Sequence, residues 1–298
     1  MKVSRTSGSG VLAAAGLLLL SACSSQPSAS VSAAAKRAES GPARTPAPSP
    51  TPDARTRWPD QKPEEFETAW KLVDKAVTAM GGAAAVDGVR SLVLTSTQQQ
   101  RSPLGEYPAI VTTTILYPAS VRRDVTLSGG TVSTVLTPEA AWITGFLGTF
   151  EMEKADREQF EAGAIRLPLT LLKSRYGRLF RASYPGPLLP GMPGAPLVVR
   201  IGSEETRLSL DPEGRIVQIV WTGPSPVDPS KKVWIRVNYF DFRTVGGLTY
   251  PFASMGWVAD EKVSTSQLES VRVNEEVPPE LFAKPGPAPP ATGTLAPR

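Results

Sequence analysis

From residue 90 to residue 273 the chain repeats one pattern: a run rich in β-branched and aromatic residues, closed by glycine, proline, asparagine or aspartate. Such runs read as strands and such closures as turns. Ser91-Leu92-Val93-Leu94-Thr95-Ser96-Thr97 lies in one run, 90–100, and Val111-Thr112-Thr113-Thr114-Ile115 in the next, 107–117. Segment 120–127 passes through Ser128-Gly129-Gly130, a hairpin turn, into 131–136. In the second half, Asp211-Pro212-Glu213-Gly214 is a turn in which proline presets φ and glycine takes φ above zero. The longest runs, 231–243, 248–258 and 263–273, end the series. The pattern predicts a meander of about ten or eleven antiparallel strands with two or three helices, a β-rich α+β domain.

One helix is legible before the strands. Pro63 suits a first turn, Glu64 and Glu65 complement the macrodipole, and Gly81-Gly82 stops the helix. Phe66, Trp70, Val73, Val77 and Met80 recur at spacings of four, three, four and three, which draws one apolar stripe. The stripe packs on a sheet or meets a membrane; its mixed rather than basic polar side favours the sheet. The middle of the chain interrupts the strands with a polar helix-prone stretch, 153–162, and a short apolar one, 167–176.

The start of the chain has a different logic. Met1-Lys2-Val3-Ser4-Arg5 is a positive n-region and 11–20 an apolar run. Ten helical residues rise about 15 Å, half of a ~30 Å hydrocarbon core, so 1–22 reads as a signal peptide rather than a span. Leu20-Ser21-Ala22-Cys23 resembles the lipobox of bacterial lipoproteins, in which the thiol is acylated and the chain is cut before it. Cys23 is the only cysteine and so has no internal disulfide partner. The resemblance implies a lipid anchor at Cys23, and Ser24 after it favours the outer membrane, facing the periplasm. Residues 23–60, rich in serine, alanine and proline, form a tether that cannot bury a core. Residues 285–298 form a similar tail, which leaves 61–284 as one domain. The formal charge of +4 falls to +2 without Lys2 and Arg5, and the domain shows no basic block for nucleic acid.

The order of elements in 61–284 resembles the bacterial lipoprotein-sorting superfamily: LolA, LolB and the amino-terminal domain of RseB. The residues that carry the resemblance are Ala79-Met80-Gly81-Gly82 followed by Val89-Arg90-Ser91-Leu92. Then come Ser120-Val121-Arg122-Arg123-Asp124, Pro138-Glu139-Ala140-Ala141-Trp142, the stretch 239–251, Val273-Asn274 and Pro279-Glu280-Leu281-Phe282. The resemblance implies an unclosed antiparallel half-barrel with helices over its concave face and acyl chains held between. It also implies a membrane-touching loop, for which Leu188, Leu189 and Met192 in the proline- and glycine-rich segment 185–196 are the candidates. A tucked-in hairpin loop is the other reading. That segment stands where the family often has a recognisable hairpin, which is a departure from the pattern.

The chemistry available is limited. With no histidine there is no Ser-His-Asp or Cys-His catalysis and no H-E-x-x-H zinc site. No Walker, G-x-S-x-G or EF-hand motif occurs, so neither cofactor nor metal is expected and an enzyme is the least favoured class. Glu151, Glu153 and Asp156 form an acidic group that reads as a weak cation site or a solvated helix start. The leading reading is a carrier or binder of lipid acyl chains. Candidate lining residues are Trp142, Phe146, Phe150, Leu169, Leu172, Trp221, Trp234 and Tyr239, each of which ordinary core packing also explains. Alternatives are a sensor that regulates another lipoprotein or envelope protein, and a structural lipoprotein whose interior is filled by side chains.

Overall fold

The computed structural model describes residues 55–102, 105–187, 189, 191–225 and 230–285. The signal segment, Cys23, most of the tether, Leu188 and the tail beyond 285 lie outside the described residues.

Helix α1 (Pro63–Ala79) forms as its stripe demands: Trp70, Val73 and Val77 are buried, and Phe66 packs at the margin. A short helix, α2 (Ala83–Asp87), follows the glycine pair. Six strands then run in sequence: β1 (Ser91–Ser102), β2 (Gly105–Leu116), β3 (Ser120–Leu127), β4 (Gly130–Leu136), β5 (Ala141–Gly145) and β6 (Gly148–Glu151). Helices α3 (Lys154–Ile165) and α4 (Pro168–Lys173) come next. The second strand series is β7 (Phe180–Ser183), β8 (Leu197–Ile201), β9 (Glu204–Leu210), β10 (Ile216–Pro224), β11 (Lys232–Val245), β12 (Leu248–Val258) and β13 (Glu261–Val273). The count is thirteen rather than ten or eleven. β6 is one strand the sequence hides, being four residues with glycine at one end and no β-branched run.

All thirteen strands form one antiparallel sheet in the order β6-β5-β4-β3-β2-β1-β13-β12-β11-β10-β9-β8-β7. β6 and β7 stand at its two ends and do not pair with each other, so the sheet is an unclosed half-barrel. The first and last strands meet at its centre, where β1 pairs with both β2 and β13. Residues far apart in sequence fix that join. Asn274, at φ +59, accepts from the backbone N–H of Arg90 and donates from its side chain to the carbonyl of Gly88. The end of α1 is fixed to the β11–β12 turn in the same manner. The Thr249 N–H donates to the carbonyl of Met80, and Gly81, at φ +125, lies so close that an added Cβ would stand 2.1 Å from the Gly247 oxygen. One member of each glycine pair, Gly81 and Gly247, is thereby explained by one close approach.

The main core lies between the helices and one end of the concave face. Trp70, Val73 and Val77 of α1 join Leu169, Leu171 and Leu172 of α4 over Leu92, Ile115, Val121, Leu136, Ile219 and Leu248 of the sheet. Trp70 sits between Phe66 and Phe180, with ring centroids 6.3 and 5.5 Å away. Arg175, just after α4, is 2% exposed and is held by Asp87 of α2 at 2.6 Å and by the carbonyl of Leu172. Lys173 donates to the last carbonyls of α2, at Val86 and Asp87, and lies over the ring of Tyr117. The helices are thus tied to one another as well as to the sheet.

Candidate ligand site on the concave face

Alternation along each strand decides what the concave face presents. On β1 the inward residues are Leu92 and Leu94, then Ser96, Gln98 and Gln100. On β13 they run from Val273 and Val271 through Leu268 to Ser266 and Ser264, across a register shift opposite Thr95 and Ser96. On β12, Leu248, Tyr250 and Phe252 give way to Ser254 and Gly256. These three strands therefore change from apolar to polar at about one level, while on β2 and β3 Ala109, Val111 and Val125 keep a small apolar cluster opposite Ser96 and Gln98. The apolar end lies under the helices.

At the polar end the side chains satisfy one another. The Tyr107 hydroxyl donates to Gln100 Oε1 at 3.2 Å, Gln100 Nε2 to Gln98 Oε1 at 2.9 Å, and Gln98 Nε2 to Ser96 Oγ at 3.1 Å. This ladder follows β1 with one glutamine per inward position. A cavity of about 100 Å³ opens where the two regimes meet. Leu94, Val237, Phe252 and Leu268 form its apolar wall, and Gln98, Ser254, Ser264 and Ser266 its polar one. Leu167 and Pro168, at the start of α4, border it on the helix side.

One charged residue lines the cavity: Arg123 of β3, paired in register with Thr113 and Thr134. It is 4% exposed, and its guanidinium Nε is buried with no hydrogen-bond partner. Burial pushes its pKa down to about 10, opposed by the nearby Tyr107, so the group remains a cation at neutral pH. Tyr239 also lines the cavity, and burial holds its phenol above the usual value. At the covered end the Tyr117 hydroxyl bonds Thr170 of α4 at 3.0 Å; burial raises that phenol too, against a smaller lowering from Thr170.

The residues singled out in the sequence scatter. Tyr239 is the one of the eight lining candidates that borders the cavity. Leu169, Leu172 and Trp221 are buried in the main core, with the Arg166 guanidinium 5.1 Å over the Trp221 ring. Trp142 is buried in a separate cluster with Val135 and Phe282, under the closing turn Pro279–Phe282. Phe146 at the β5–β6 turn, Phe150 on β6 and Trp234 on β11 are exposed; Arg207 lies over the Trp234 ring at 4.9 Å. In the loop between β7 and β8, Leu189 and Met192 are half-buried. The acidic trio does not gather: Glu151 pairs with Lys284 at 2.6 Å. Among the described residues no group of three or more histidine, cysteine, aspartate or glutamate side chains is placed to hold a metal.

Arg123 was missed, although a signal was there. In Val121-Arg122-Arg123-Asp124-Val125 the two valines share a face with Arg123, not with Arg122. The burial of β3 follows that alternation.

No family model matches the chain, and no curated protein does. Solved structures with a similar outline include a LolA superfamily protein from Nitrosomonas europaea, at 11% identity and TM-score 0.48, covering 72% of this chain and 97% of that one. A putative outer membrane lipoprotein-sorting protein domain from Vibrio parahaemolyticus matches at 9% identity and TM-score 0.47, with the same coverage. LprF from Mycobacterium bovis matches at 11% identity and TM-score 0.26, over 75% of this chain and 98% of that one.

Proposed function

We propose that the chain is a lipid-anchored protein of the cell envelope, attached through Cys23 and facing the periplasm from the outer membrane, that binds the acyl part of an amphiphile without catalysing a reaction. Among the described residues no helix is long and apolar enough to cross a membrane, so on this reading the Cys23 lipid supplies the attachment. The observation that carries the proposal is the cavity at the boundary of the concave face, apolar on one wall, polar on the other and bordered by the first turn of α4. That layout matches an amphiphile. Its volume, about 100 Å³, is below the roughly 300–1,000 Å³ of a ligand pocket. The structure is then the closed form, and a long chain enters as Leu167 and Pro168 move away from Phe252 and Leu268. Leu189 and Met192, beside Leu188, are proposed as the membrane contact.

The test is native mass spectrometry and solvent extraction of residues 24–298 purified from a bacterial host, followed by uptake of a fluorescent fatty acid. One bound lipid or acyl chain per protein is the expected result. A lipid-free protein that also takes up no fatty acid removes the reading and leaves a scaffold or protein-binding lipoprotein.

A further inference from the structure

Arg122 and Arg123 are adjacent on one strand and treated in opposite ways. Arg122 is saturated: its Nε meets both carboxylate oxygens of Asp124 at 2.9 Å, and its terminal nitrogens donate to the Leu281 carbonyl and to Ser133. Arg123 faces the cavity, and its buried Nε has no hydrogen-bond partner. A guanidinium N–H kept out of water without an acceptor is unfavourable, and cores rarely keep one. The nearby Tyr107 offsets only part of that cost. The cavity lining contains no aspartate or glutamate. Burial holds the Tyr107 phenol above its usual pKa, against a smaller lowering by Arg123, so that residue stays neutral at pH 7. The amide oxygens of Gln98 and Gln100 already accept bonds within the ladder. Across the cavity, Ser254, Ser264 and Ser266 line the facing wall. A fork of donors and a row of hydroxyls therefore converge on one small space, with an apolar wall beside it.

We propose that Arg123 anchors the anionic group of the bound amphiphile, a carboxylate or a phosphate, with the serine hydroxyls completing its shell and the hydrocarbon running to the wall of Leu94, Phe252 and Leu268. The inference rests on the acyl-binding reading above and adds the class of ligand. A guanidinium suits this role because it meets two anion oxygens at once and cannot be neutralised at physiological pH. An anion that brings its own hydrocarbon also fills the wall that a free inorganic ion leaves unused.

Calorimetry on residues 24–298, with ligands below their critical micelle concentrations, separates the possibilities. Oleate, oleyl alcohol, oleoyl lysophosphatidate and inorganic phosphate are compared on the wild-type chain and on Arg123→Gln. The expected result is that oleate or the lysophosphatidate binds about tenfold or more tightly than the alcohol, as one charge-assisted fork contributes. Arg123→Gln then brings acid and alcohol within about twofold by weakening the acid alone, and Arg123→Lys falls between. Equal affinity of the wild type for acid and alcohol overturns the anchor while leaving the acyl site standing. Failure to bind any of the three chains removes the acyl-binding reading, and the anchor with it. Inorganic phosphate binding as tightly as the lysophosphatidate overturns the amphiphile in favour of a free anion. Should Arg123→Gln not fold, the acid-to-alcohol ratio on the wild type still decides.

Discussion

The two ends of the concave face are built from the same strands and differ in what those strands meet. At the covered end, Leu92, Ile115, Val121 and Leu248 share one apolar cluster with Trp70 and Val73 of α1 and Leu169 of α4. At the other end, Gln98, Gln100 and Tyr107 meet one another, and Arg123 meets no partner among them. Burial is high in both: Gln100 is 2% exposed and Leu92 0%. What separates them is the source of satisfaction. One end gains stability from area removed from water; the other sets beside a small apolar cluster, Ala109, Val111 and Val125, a ladder of polar groups held at little net gain. A fold that needed only stability would carry the leucines through to Gln100.

The comparison breaks first if the covered end does not hold the fold. Trp70→Ala removes a ring packed against Phe66 and Phe180, and the expected cost is about 3–5 kcal/mol by urea unfolding. A loss below about 1 kcal/mol would show that α1 rests on the sheet without stabilising it. Asp87→Ala comes next. It leaves Arg175, 2% exposed, with the Leu172 carbonyl and the Tyr176 hydroxyl as acceptors. The expected cost is about 3 kcal/mol, because a buried cation loses its counter-charge. Asp87→Asn, which keeps an acceptor, is expected to lose less.

The sequence made the covered end legible and the polar end nearly invisible, for a physical reason. The stripe Phe66, Trp70, Val73, Val77 and Met80 announces a buried face because hydrophobic periodicity is a direct record of burial. The turn at Asp211–Gly214 and the glycine pairs were equally plain, since few residues tolerate those backbone angles. Ligand lining was harder. Ala141 and Trp142 are both buried although they point to opposite faces, because β5 has the main core on one side and the closing turn Pro279–Phe282 on the other. Where both faces are covered, alternation no longer tells lining from packing. Choosing large aromatics as lining residues also favoured the convex clusters and the exposed edge over the cavity, whose polar wall is glutamine and serine. Ser96, Gln98, Gln100 and Arg123 look like surface residues in the sequence; only the register that carries Val121 and Val125 inward carries Arg123 with them.

The polar end gives a prediction of opposite sign. Arg123→Met replaces an unpaired buried cation with an apolar chain of similar length, so stability is expected to hold or rise by about 1–2 kcal/mol in the absence of ligand. Urea unfolding of the variant beside Trp70→Ala places the two ends on one scale. A clear loss in Arg123→Met would make that arginine a structural element and erase the difference between the ends.

The smallest effect tests whether charge contributes at the margin of the covered end. The β9–β10 turn packs on α1, where Lys75 donates to the Pro212 carbonyl at 2.6 Å. Within the turn, Asp211 accepts from the Arg215 backbone at 2.8 Å and from its guanidinium at 2.6 Å. Burial raises the Asp211 pKa, but the bonds and charge of Arg215 outweigh it and hold the carboxyl below its usual value. A depressed carboxylate stabilises the fold above its unfolded pKa, about 3.9, and that contribution disappears as pH falls through the folded pKa. Asp211→Asn keeps an acceptor for the Arg215 backbone and removes the charge. The expected loss is about 0.5 kcal/mol at pH 7, in the range of a surface pair, shrinking toward zero in acid as the pH falls through the depressed folded pKa and the wild-type carboxyl becomes protonated. Urea midpoints at pH 7 and along an acid series measure it. A loss that is the same throughout would assign the contribution of the turn to its hydrogen-bond geometry, and charge would then have no part in holding the turn against α1.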